Sequence, residues 1–131
     1  MILRHQERAQ VDYMTLCSLV HGIWRGWKAA KIFVEGERLG RAVYETLKKQ
    51  KLPIECVPTG NKGKVERATP LMEKLERGEI FLPEERRWRR KFEDELLSWT
   101  GDKSEPADQI DAAAYAAQVG EERRGEVVRV V

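Results

Sequence analysis

Three carboxylates in this sequence stand where a carboxylate has chemistry open to it. Glu35 ends the run Lys31-Ile32-Phe33-Val34-Glu35 and is followed at once by Gly36-Glu37-Arg38-Leu39-Gly40. In an open α/β sheet, ligands bind beyond the carboxyl ends of the strands, which is where Glu35 is expected. Asp108 and Asp111 open an alanine-rich stretch three residues apart, so on a helix both side chains leave one face of the first turn. Each has an ordinary reading too. Glu35 can be a surface carboxylate at a strand end, and acids at a helix N-terminus are usually caps stabilised by the dipole. Together the three point further. A hard divalent cation such as Mg²⁺ takes oxygen ligands, and two such ions activate a water and stabilise the leaving oxygen of a phosphodiester.

Basic residues surround the same segments. From Lys28 to Arg67 there are ten Lys or Arg against five Glu and no Asp, a local balance of +5. Arg38 and Arg41 follow Glu35, while Lys62, Lys64 and Arg67 occupy a loop and the next helix start. Such a patch holds phosphates by charge without reading base sequence. A second run, Arg86-Arg87-Trp88-Arg89-Arg90-Lys91, is followed by Glu93, Asp94 and Glu95. It reads as a solvated helix face with its tryptophan in the core. His5 and His21 share no spacing with a cysteine or acid and read as structural or exposed. No G-x-x-x-x-G-K-[ST], Cys-x-x-Cys, His-Glu-x-x-His or Gly-x-Ser-x-Gly occurs, which sets aside P-loop ATP hydrolysis, zinc protease and serine hydrolase chemistry.

The elements that must position these residues alternate between strand and helix. Residues 2–8 are a candidate strand resting on Ile2 and Leu3. Asp12 is placed to cap a helix to about Trp27, with Tyr13, Leu16, Cys17, Val20, Ile23, Trp24 and Trp27 as its apolar stripe. Lys31–Glu35 reads as a strand buried on both faces. Leu39, Val43 and Leu47 mark a helix ending near Gln50, and Ile54–Val57 is a short strand between Pro53 and Pro58. A helix to about Arg77 contains Pro70, which is expected to break or kink it near Thr69. Glu79–Pro83 reads as a third strand or extended segment, and a charged helix from about Glu84 to Trp99 buries Trp88, Phe92, Leu96 and Trp99. The last helix spans Asp108 to Val119. Its alanines, Ala112-Ala113-Ala114 and Ala116-Ala117, would let it lie close against a sheet and bring Asp108 and Asp111 toward Glu35. The order predicts an α/β domain with at least partly parallel pairing.

The chain's 131 residues suit one domain, here 1–120, with 121–131 as a tail or added edge strand. Apolar residues at 41% and charged residues at 35% fit a charge-rich globular fold, and no run approaches the roughly 20 apolar residues of a membrane span. No signal peptide opens the chain. Cys17 and Cys56 read as free thiols in a reducing cytosol. The formal net charge is only +2, so any nucleic-acid partner must be recognised by local charge.

The order of short motifs resembles the nuclease domain of large terminase subunits from tailed phages. The pieces are Ile32-Phe33-Val34-Glu35-Gly36, Pro53-Ile54-Glu55-Cys56-Val57-Pro58, Lys64-Val65-Glu66-Arg67-Ala68, Gly78-Glu79-Ile80-Phe81-Leu82-Pro83 and Asp108-Gln109-Ile110-Asp111-Ala112. The resemblance runs from about Asp12 to Gln118. The resemblance implies an RNase H-like mixed sheet flanked by helices, cutting concatemeric double-stranded viral DNA with Mg²⁺ or Mn²⁺ held by acidic side chains. It implies that Glu35, Asp108 and Asp111 are the catalytic and metal-binding acids. It also implies packaging partners: an ATPase domain, a small terminase subunit and a portal, in the cytoplasm of a phage or prophage host. The chain departs from the pattern in two places. The first of the family's paired aspartates falls on Ala107, and the first strand, which carries another metal-binding Asp, is not found, so the fold is expected to be N-terminally truncated. That loss is expected to leave the Lys31–Glu35 strand with an unpaired edge. A DNA- or partner-binding remnant without activity is the alternative, as is another RNase H-like nuclease such as a resolvase.

Overall fold

In the computed structural model, the β-branched and aromatic run at Lys31–Glu35 forms the central strand, β1, of a parallel sheet ordered β2-β1-β3. The structure describes residues 1–28, 31–36, 38–58, 60, 62–84, 86–122 and 128–130. These fall into two units: a sheet unit of Gln10–Asn61 with Arg123–Val131, and a helical unit of Met1–Ala9 with Lys62–Glu122.

The sheet unit begins with α1 (Tyr13–Trp27). Asp12 caps it by accepting from the Thr15 amide at 2.8 Å, which holds the Asp12 carboxyl below its ordinary range. Lys28 ends the helix in the left-handed region, at φ 49°. Between β1 and β2 (Ile54–Val57) runs α2 (Arg38–Lys49), the crossover that parallel neighbours require. Ile32 pairs with Ile54 and Glu35 with Val57. Cys17, Val20, Ile32, Val34, Val43, Leu47, Leu52 and Ile54 make the core of this unit. The Tyr13 hydroxyl fastens α1 to α2, donating to the Ala42 carbonyl at 3.0 Å and bonding to Thr46 Oγ1.

One expectation is overturned here. The second edge of β1 is not open: β3 (Val128–Val130) lies parallel along it, pairing Lys31 with Val128 and Phe33 with Val130. The tail is thus an edge strand over those three residues, while 123–127 and 131 lie outside the described residues. Every strand pairing described is parallel, where the resemblance implied a mixed sheet.

The helical unit packs α3 (Lys64–Glu76), α4 (Arg87–Ser98) and α5 (Asp108–Glu122) around Ala68, Leu71, Phe92, Ala107, Ile110, Ala113, Ala114 and Ala117. The alanine face of α5, expected against a sheet, serves here to seat α3 and α5 closely together. Pro70 does not break α3. Proline removes one amide donor, but the Ala68 and Leu71 face is buried and the helix runs unbroken from Lys64 to Glu76. At its end Gly78, at φ 67°, turns the chain: its amide bonds to the Leu75 carbonyl and that of Glu79 to the Lys74 carbonyl at 2.9 Å. Of its two readings, Glu79–Pro83 takes that of a segment outside the strands. It makes one parallel bridge, Phe81 to Ile2, fixed by the Leu3 amide on the Phe81 carbonyl and the Phe81 amide on the Met1 carbonyl. Pro83, with no amide hydrogen, cannot extend the ladder.

Candidate functional site

Glu35 is half-buried at the carboxyl end of β1, in the sheet unit. Its backbone is clamped on both sides. The Gly36 amide bonds to the Val57 carbonyl at 2.8 Å, holding the strand end to β2. From the other side, the first turn of α2 comes down on the Glu35 carbonyl at Gly40, where any Cβ would overlap that oxygen. Gly40 is therefore a close-approach glycine, and its lack of a side chain fixes where the strand ends. Arg41 is exposed on α2. Arg38 is the first residue of α2, and its side chain lies outside the described residues.

In the helical unit, Asp108 and Asp111 open α5 as expected, but neither is its cap. The first intrahelical bond runs from the Asp111 amide to the Ala107 carbonyl at 2.8 Å. The orphan amides beyond it are satisfied from another helix. Glu95 of α4 accepts from the Gln109 amide at 3.0 Å and the Ile110 amide at 3.2 Å through Oε1, and from Gln109 Nε2 at 2.6 Å through Oε2. A negative carboxylate against a helix N-terminus is stabilising in itself. With Glu95 in that role, the two aspartates are left out of the capping contacts.

They differ in surroundings. The Asp108 side chain is 73% exposed and lies 3.3 Å from the Arg8 guanidinium. Asp111 is half-buried and makes no hydrogen bond or ion pair with a described residue. Burial raises its carboxyl above the usual range, opposed by Arg67 and Lys64 and reinforced by Asp108 and Glu95. Arg67 and Lys64 stand on the first two turns of α3, the helix that packs on α5. Lys64 Nζ is anchored to the Glu105 carbonyl at 2.8 Å, and Arg67 Nε is enclosed with no hydrogen-bond partner among the described residues. The loop behind them is held by its own acids. Glu105 accepts from the Thr100 amide and hydroxyl, and Asp102 accepts from the amide and hydroxyl of Ser104. Lys62 is exposed at the entrance to α3.

These residues fit a hard cation. Mg²⁺ is ordinarily held by one or two carboxylates with waters and substrate phosphates completing its shell. Asp108 and Asp111 offer two, on one helical face, and the raised Asp111 carboxyl is the mark of an anion whose burial is incompletely compensated. Within either unit, no cluster of three or more His, Cys, Asp or Glu suited to a metal is found among the described residues. Both cysteines are free thiols, with Cys17 buried in the sheet-unit core. His5 lies edge-on to Trp88 and 3.5 Å from Glu7, and His21 lies edge-on to Trp24.

Sequence reasoning missed Glu95, having placed it with Glu93 and Asp94 in a solvated run. The signal was its phase. Trp88, Phe92, Glu95, Leu96 and Trp99 share one helical stripe, and a carboxylate on a stripe that faces a core needs donors there.

No helix among the described residues is long and apolar enough to cross a membrane. No curated protein and no solved structure matches the chain. A family model does: the terminase RNaseH-like domain, over residues 3–118. That span takes in β1, β2, the α3 motif and the Asp108–Asp111 turn, the same pieces that carried the resemblance. The chain is a member of the terminase RNaseH-like domain family.

Proposed function

We propose that this chain is the nuclease domain of a phage-type large terminase subunit, hydrolysing the backbone of concatemeric double-stranded DNA. Glu35, Asp108 and Asp111 are the metal-binding carboxylates, and Mg²⁺ or Mn²⁺ is the ion. When bound, the ion supplies an activated water and stabilises the leaving oxygen of the phosphodiester. The chain's own residues do the rest. Asp111, half-buried and with no partner among the described residues, and Asp108, exposed beside it, present oxygens from one turn of α5. Lys64 and Arg67 oppose the negative charge of Asp111 and, with Arg38, Arg41 and Lys62, hold DNA phosphates without base preference. The partners in that setting are DNA and the packaging machinery: an ATPase domain, a small subunit and a portal, in the host cytoplasm.

The observation that supports this reading most directly is the Glu95 cap, which leaves the Asp108 and Asp111 carboxylates outside the capping contacts, Asp108 beside Arg8 and Asp111 with no partner among the described residues. The test is nicking of supercoiled plasmid by the full chain with Mn²⁺ and with EDTA, beside Glu35→Ala, Asp108→Ala and Asp111→Asn. Metal-dependent nicking lost in all three variants is expected. Nicking that survives Asp108→Ala or Glu35→Ala would remove that residue from the site. A second reading, a DNA- or partner-binding remnant without cleavage, draws on the absence of a cluster of three or more metal-suited side chains among the described residues. It is favoured if the folded wild type binds DNA and never nicks it.

A further inference from the structure

We infer that the exposed face at the start of α4 is a second DNA-contact surface, gripping the phosphate backbone through Arg86, Arg87, Arg90 and Lys91. All four are exposed, and none pairs with a described carboxylate, including the exposed Glu84 just upstream. Arg89, the fifth cation of the run, is differently employed: it bonds to Glu93 at 2.8 Å and to the Pro83 carbonyl at 3.2 Å. The other face of the helix is anchored, with Phe92 fully buried and Trp88 packed beside it. The cations are thus presented on a fixed helix, not on a loose tail.

What sets this run apart from an ordinary solvated face is its polarity. The N-terminus of a helix carries about half a positive charge, so acids belong there and bases at the far end. In α4 both are reversed. The first turn has no acid, the cap residue Arg86 makes no side-chain capping bond, and the last turn has no base. Glu93, Asp94 and Glu95 all lie in the C-terminal half. Folding gains nothing from four cations at the positive pole that have no partner among the described residues, whereas a polyanion gains from both the cations and the pole. Arg87, Arg90 and Lys91 recur at three and four residues on one face. They rise about 6 Å along the helix, close to two phosphate steps of a DNA strand at roughly 3.4 Å each. The choice of DNA among polyanions rests on the family reading above. The surface itself requires neither metal nor the three carboxylates.

The experiment is binding of a mixed-sequence 20-bp duplex by the full chain, followed by fluorescence anisotropy in EDTA across a salt series. Arg87→Gln/Arg90→Gln/Lys91→Gln is compared with wild type, with Arg90→Gln alone, and with Lys28→Gln/Lys49→Gln/Lys51→Gln, which removes equal charge elsewhere. The α4 triple variant is expected to lose roughly tenfold or more in affinity, and about 2–3 from the slope of log K against log salt. Arg90→Gln should lose about one third of that slope change. Its thermal midpoint should be equal to wild type or higher, because the cations oppose the helix dipole. An unchanged slope in the α4 variants overturns the inference, as does an equal loss in the control triple variant, or a wild type that does not bind. Tighter binding to polyglutamate than to DNA also overturns it, and would assign the face to an acidic protein. Because the assay excludes metal, failure of plasmid nicking leaves this result standing, and failure here leaves the carboxylate reading standing.

Discussion

The two units place their candidate acids by different means. In the sheet unit, Glu35 is set by backbone: a strand between two parallel neighbours, and a glycine that lets α2 close on its carbonyl. In the helical unit, Asp108 and Asp111 are set by a side chain from another helix, Glu95. The cores differ in the same sense. Large aliphatics such as Ile32, Val43 and Leu47 fill the sheet unit, while alanines let α3 and α5 close together in the other. One unit is built by filling space and the other by leaving none.

That contrast is testable by opposite substitutions. Leu47, fully buried, should fail by cavity formation, and Leu47→Ala is expected to cost about 2–5 kcal/mol in urea unfolding. Ala113, at 3% exposure, should fail by crowding, and Ala113→Leu is expected to cost about 1–3 kcal/mol. A harmless Ala113→Leu would break the comparison, because it would mean that the α3–α5 face has spare room.

The next largest effect is expected at Glu95. Glu95→Ala removes the acceptor for two amides and one side-chain amide, with an expected loss of about 1–3 kcal/mol. Glu95→Gln keeps an oxygen there and should recover a good part of it. Equal losses in both variants would mean that charge, not hydrogen bonding, carries the cap.

Gly40→Ala sharpens the other half of the comparison. A methyl group there meets backbone, which cannot swing aside, so the first turn of α2 must shift. About 1–3 kcal/mol is expected in chemical unfolding. An Ala variant as stable as wild type would show that the strand end is not clamped at this point.

The smallest effect is a gain. Folding raises the Asp111 carboxyl, so between its ordinary and its folded value the native chain holds a proton that the unfolded chain releases. Its contribution to stability therefore falls as pH rises through that window and stays unfavourable at neutral pH. Asp111→Asn should melt slightly higher than wild type near pH 7, with the difference vanishing below the carboxylate range, around pH 3–4. Asp12 behaves oppositely. Its lowered carboxyl favours the native state at neutral pH, and that support is lost on acidification.

Much of the sheet unit was legible because its signals are local. The β-branched run, the Asp12 cap and the four-residue spacing of Leu39, Val43 and Leu47 each name their element without reference to the rest of the chain. What stayed open there was the C-terminal stretch, read as a tail or an added edge strand, because β3 pairs with β1 across about a hundred residues and no local pattern encodes that. The helical unit was read less well because tertiary contact decides it. Pro70 breaks a helix in isolation, yet here its neighbours Ala68 and Leu71 are buried. Whether Asp108 and Asp111 cap their own helix turned on a carboxylate thirteen residues upstream of the first, in a run that reads as solvent-facing until its phase is counted.

The central claim is that Glu95 does the capping and Asp108 and Asp111 are left to hold a cation. Calorimetric titration of Mn²⁺ into the wild type, Asp111→Asn and Glu95→Gln tests it directly. Binding in the wild type and in Glu95→Gln, lost in Asp111→Asn while that variant melts no lower than wild type, is the expected result. Equal Mn²⁺ binding by wild type and Asp111→Asn would contradict it.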